Sequence, residues 1–125
     1  MDAYLIVALG SAIGGALRHA VNLGVARLLG TGWPYGTFTV NVAGSFTIGL
    51  IAGYFALKGN ASQAWRLFLT TGILGGFTTF SAFSLDVVLL YERGRLGVLA
   101  LYLLGSVALS VGALVLALAM VRRFS

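Results

Sequence analysis

The chain has 125 residues, 59% of them hydrophobic and 9% charged, with a formal net charge of +5 and a mean hydropathy of +1.00. Ordinary soluble domains carry roughly a quarter charged residues, and a soluble fold this short buries too little surface to hide so much apolar side chain. Lipid is the solvent that suits the composition, and the absence of cysteine excludes disulfides and thiol chemistry.

A helix needs about 20 apolar residues to cross the hydrocarbon core. The sequence has room for four such runs and short loops, which predicts an all-α integral membrane protein forming one domain over 1–125. The first span is expected over residues 4–29. It begins behind Asp2 rather than a basic region, so it reads as a span and not as a cleavable signal. Arg18 and His19 lie inside it. An intramembrane arginine is costly and points to a cavity or a paired charge. Asp86 is the one acid well inside a span and is a candidate partner; His19 has no metal-ligand company. Gly10 and Gly14 form a G-x-x-x-G pair, most simply a packing face.

Gly30-Thr31-Gly32-Trp33-Pro34 punctuates the chain, with Trp33 suited to the membrane interface. The second span, 36–57, carries Thr37, Asn41 and Ser45 at four-residue spacing. Asn41 is the expensive member of this stripe, since a buried amide needs partners. Helix–helix adhesion and a donor lining a polar path both explain it. A loop with Lys58 and Arg66 precedes the third span, 67–91.

The middle of that span reads Gly72-Ile73-Leu74-Gly75-Gly76-Phe77-Thr78-Thr79-Phe80-Ser81-Ala82-Phe83-Ser84. Paired glycines weaken a helix by roughly 1 kcal/mol each, so a break is expected near Gly75–Thr78. At membrane depth a break is tolerated where protein or a polar cavity satisfies the freed backbone groups, and broken helices build ion sites from carbonyls and helix ends. Close helix packing through the glycines is the plainer reading. Phe80 and Phe83, three apart, share a helix face. Phenyl edges are electropositive, so they suit an anion in a narrow passage, although a lipid-facing or core position is the plainer reading of these residues alone. The fourth span, 96–121, repeats the polar stripe as Tyr102, Ser106 and Ser110.

Basic residues in the loops and at the span ends, Arg18 left out, divide almost evenly. One side holds Lys58, Arg66, Arg122 and Arg123, the other Arg27, Arg93 and Arg95, four against three. A chain of single orientation shows a clearer bias; a near tie is expected of one inserted both ways, able to pair with an inverted copy. No Ser-His-Asp or Cys-His set, metal-binding cluster or phosphate loop is present, and one histidine and three acids leave little acid–base equipment, so an enzyme is not expected.

The stretch from Gly75 to Ser84 resembles the G-G-x-T-T-F-S-T-F signature of the Fluc/CrcB fluoride channels. Gly36-Thr37-Phe38-Thr39-Val40-Asn41 resembles their G-T-x-x-V-N segment, and Gly14 to Arg18 their first-span G-x-x-x-R pattern. Three motifs in order cover spans one to three. The resemblance implies an antiparallel, dual-topology homodimer in the bacterial inner membrane, exporting fluoride through two pores, with a structural sodium ion at the dimer centre. It further implies that Asn41, Phe80, Phe83, Thr79, Ser81, Tyr102, Ser106 and Ser110 line the fluoride pathway. Arg18 is then the vestibule cation, and the Gly75 and Thr78 carbonyls bind sodium. Ala82 departs from the signature threonine and removes a hydroxyl beside the phenylalanines. Two other classes fit four short spans: a proton-coupled multidrug exporter, which needs a membrane-embedded carboxylate, and an assembly subunit without transport.

Overall fold

The computed structural model describes residues 2–58 and 62–124, and within them the chain is helical almost throughout. Four stretches are long and apolar enough to cross a membrane: Ala3–Leu29, Tyr35–Leu57, Gln63–Glu92 and Leu96–Arg123. The chain is a multi-pass membrane protein.

Helix α1 (Ala3–Leu29) starts where the Asp2 carboxylate accepts from the Tyr4 amide, a side-chain N-cap of the usual kind. It ends at Gly30, whose φ of 82° turns the chain where a side chain would be strained. Helix α2 (Tyr35–Lys58) begins directly after Pro34, whose carbonyl accepts from the Phe38 amide. The third span is built in pieces: α3 (Gln63–Arg66), a π-helix (Leu67–Leu74), α4 (Gly75–Phe77) and α5 (Phe80–Glu92). Helix α6 (Leu96–Arg123) closes the bundle.

Two packings hold these elements. Helix α1 lies against the π-helix and α4, backbone on backbone. A Cβ at Gly10 would stand 2.7 Å from the Phe68 carbonyl oxygen, one at Gly76 2.6 Å from that of Ser11, and one at Gly14 would overlap the Ile73 carbonyl. The G-x-x-x-G pair is therefore a packing face, as small residues are in membranes. Helix α2 lies along α6, burying Val40 and Ala117 completely. At one end of the bundle Phe83, Leu90 and Tyr102 form a core backed by Trp33 and Phe38. There Arg95 donates to the Gly32 carbonyl at 3.4 Å, which ties the α5–α6 loop to the α1–α2 loop. At the other end the Arg66 guanidinium sits 5.7 Å from the centre of the Phe55 ring.

The break falls at the C-terminal edge of the expected Gly75–Thr78 stretch, and its cause differs from the expectation. The paired glycines stay helical (Gly75 has φ −62°, ψ −37°), and Gly76 serves the α1 contact. The chain becomes extended one turn later, at Thr78 (φ −84°, ψ 160°) and Thr79 (φ −153°, ψ 120°). Ahead of it the π-helix widens the span over Leu67–Leu74, so that the Gly75 amide meets the Thr70 carbonyl five residues back. π-turns recur at functional sites.

Candidate functional site: the cleft at the broken helix

Two amides normally spent on helix are spent elsewhere at the break. The Thr79 N–H, which in a continuous helix bonds the Gly75 carbonyl, donates to Asn41 Oδ1 at 2.8 Å. The Ala82 N–H, which would bond the Thr78 carbonyl, donates to the Thr79 hydroxyl at 3.1 Å and so caps α5. The carbonyls of Gly75 and Thr78 are thereby released from their i+4 partners. The Thr79 carbonyl accepts from Asn41 Nδ2 at 3.0 Å. The Thr78 hydroxyl turns back to the Leu74 carbonyl at 3.0 Å, and its methyl fills the space that Gly44 leaves without a side chain.

Beside the break lies a cleft of about 440 Å³. Asn41, Thr78, Thr79, Phe80, Phe83, Ser106 and Ser110 line it together with Gly44, Ser45 and aliphatic side chains, and no charged residue does. Four helical segments thus converge: the polar stripe of α2, the break, the start of α5 and the polar stripe of α6. The start of α5 brings the positive end of a helix dipole to the same place.

The hydroxyls of Ser106 and Ser110 are buried on the cleft wall with no hydrogen-bond partner. Four residues apart, they stack one turn above the other on α6. Leaving a hydroxyl unpaired costs about 1–3 kcal/mol, so the wall holds two donors in want of an acceptor. The phenylalanines differ sharply. Phe83 is 7% exposed and Phe80, 5.8 Å away between ring centroids, is 78% exposed. Phe80 stands out from the chain at the cleft's edge.

Tyr102 does not line the cleft. It is fully buried behind it, with Phe83 at 5.2 Å and Trp33 meeting it edge-on at 5.1 Å and 87°. Its hydroxyl donates to Asp86 Oδ2 at 3.0 Å. Asp86 is therefore held by Tyr102, not by Arg18. Ser81 stands outside the lining, its hydroxyl 3.3 Å from that of Thr79. Gly75 and Arg18 also lie outside it. Among the described residues no cluster of three His, Cys, Asp or Glu is placed to hold a metal.

Sequence reasoning missed Trp33 and Gly44. Trp33 carried a signal, an aromatic before Pro34 at a span entry, that was read as an interface anchor. The role of Gly44 depends on a residue far along the chain and leaves no local sign.

The family model described as CrcB-like protein, Camphor Resistance (CrcB), matches residues 5–118. The chain is 57% identical over 122 residues to the fluoride-specific ion channel FluC 2 of Nitrobacter hamburgensis, covering 98% of each chain. It is 60% identical over 119 residues to the fluoride-specific ion channel FluC of Rhodopseudomonas palustris strain BisB5, covering 95% of this chain and 96% of that one. To the FluC of Granulibacter bethesdensis it is 60% identical over 122 residues, covering 98% and 96%.

Proposed function

Since the chain belongs to the CrcB-like family, we propose that it is a fluoride-selective passive channel of the bacterial inner membrane, working as an inverted pair. The observation that carries the reading is the cleft wall itself. Two buried, unpartnered serine hydroxyls face the same space as two phenylalanines and an uncharged helix break. Hydroxyl and amide hydrogens, ring edges and a helix N-terminus are all attractive to an anion. A small, strongly hydrated anion gives up water where close donors replace it, and the cleft supplies them without a fixed positive charge to trap the ion. Ser106 and Ser110 hand the ion along α6, Asn41 offers an amide hydrogen, and Phe80 and Phe83 offer ring edges. A negative-inside potential drives the anion outward with about 2.3 kcal/mol per charge per 100 mV.

Closure of the pathway needs a second copy. Phe80 projects from the protomer, and the balanced basic residues favour insertion in both orientations. An inverted copy covers the open side of the cleft and receives Phe80. The break fits a structural sodium ion, because the Gly75 and Thr78 carbonyls have lost their helical partners, and unwound backbone carbonyls are the usual ligands of that ion in membranes. When bound there it joins the two copies. Arg18 lies apart from the cleft wall and contributes positive potential to the approach. The exporter reading gains nothing, because α1 holds no acid and Asp86 is bonded by Tyr102.

Reconstituted vesicles test the assignment. Phe80→Ile and Asn41→Asp are expected to abolish fluoride efflux or slow it at least ~100-fold, the order of 2.7 kcal/mol. Wild-type rates in both variants would remove this cleft as the pathway.

A further inference from the structure

An asparagine side chain carries the donor and acceptor of a peptide group. Asn41 uses both on one residue, accepting from the Thr79 N–H at 2.8 Å and donating to the Thr79 carbonyl at 3.0 Å. That exchange of two bonds is how facing residues pair across an antiparallel ladder. Thr79 has the dihedrals to match, φ −153° and ψ 120°, inside an otherwise helical span.

We propose that Asn41 is a positioning residue that acts as a one-residue strand partner for Thr79 and thereby holds the third span broken. The competing conformation is a continuous helix through residues 75–82. In it the Thr79 N–H returns to the Gly75 carbonyl and the Ala82 N–H to the Thr78 carbonyl. No proline stands in this stretch to forbid it, and the paired glycines are already helical. The break persists in lipid with substitute partners for three of the backbone groups around it. Asn41 takes the N–H and carbonyl of Thr79, and the Thr79 hydroxyl takes the Ala82 N–H. Without Asn41 two of these three substitutes vanish together.

The consequence for conduction rests on the channel reading above. One side chain sets the release of the Gly75 and Thr78 carbonyls and the starting point of α5, hence the placement of Phe80. Its amide nitrogen has two hydrogens and Thr79 takes one, so the second remains for an anion in the cleft that Asn41 lines. Asn41 couples the anion pathway to the helix break.

The test is nuclear magnetic resonance on the purified, lipid-reconstituted chain with labelled threonine and asparagine. Wild-type Thr79 is expected to show the carbon shifts of an extended residue. In Asn41→Ala and Asn41→Leu they move towards helical values while those of Thr47, elsewhere on α2, stay fixed. Asn41→Asp, which keeps the acceptor and loses the donor, falls between. The two Nδ2 hydrogens of wild-type Asn41 are expected at separate positions, one hydrogen-bonded, a result that needs no variant to fold. Extended Thr79 shifts persisting in both the Ala and Leu variants, or two unbonded Nδ2 hydrogens in the wild type, would overturn the proposal. Fluoride flux is recorded on the same samples. The Thr79 shift change without wild-type flux supports the clamp and defeats the channel reading.

Discussion

Ser106 and Ser110 are where the cleft stores its chemistry, and they separate stability from function. A buried hydroxyl without a partner costs about 1–3 kcal/mol, so Ser106→Ala is expected to leave the protein as stable as before or up to ~1–2 kcal/mol more stable. The same change removes a donor from the proposed ion path and is expected to lower fluoride flux about tenfold, near 1.4 kcal/mol. Thermal melting in detergent and efflux rates, measured on one preparation, check the opposite signs; a loss of both would mean that Ser106 is ordinary packing. The serine stripe was legible because helical spacing is local. The partner of Asn41 was not, since Thr79 lies 38 residues away and nothing in the α2 sequence announces which backbone it clamps. The Asp86 contact was misplaced for a similar reason. Charge alone suggested Arg18, while the fold brings the Tyr102 phenol to the carboxylate.

Within the third span, the sequence pattern located the irregularity and misread its agent. Helix propensity attributed the break to Gly75 and Gly76, but both stay helical, Gly76 pressed against α1, and the chain becomes extended at Thr78 and Thr79. The π-helix over Leu67–Leu74 left no pattern in the residues at all. It packs against the α1 backbone at Gly10 and Gly14. This packing makes a sharp prediction for two adjacent residues of α1. Gly14→Ala drives a methyl into the Ile73 carbonyl, whereas Gly15→Ala meets nothing within 4 Å. Overpacking costs about 1–3 kcal/mol and helix propensity favours alanine over glycine by about 1 kcal/mol. Gly14→Ala is therefore expected to melt earlier and Gly15→Ala at or above the wild-type temperature. Equal melting of the two would show that α1 does not press on the third span here.

At the scale of the molecule, four spans were legible from hydrophobicity because lipid imposes a simple length rule. The proposed inverted pair rests on the near-even division of basic residues and the family resemblance, since neither a pore nor an interface has a local signature. The cleft of the single chain lies open, with Phe80 78% exposed at its rim. Two variants with basic residues added to opposite ends are expected to insert in opposite single orientations. Each should be inactive alone and active when co-expressed with the other, and a single-orientation variant active alone would contradict the inverted pair. The central claim is tested most directly by fluoride-electrode recording of efflux from proteoliposomes holding the purified wild-type chain, with chloride efflux recorded alongside. Rapid fluoride release with little chloride release is the predicted result; equal release of the two ions, or none of either, would contradict it.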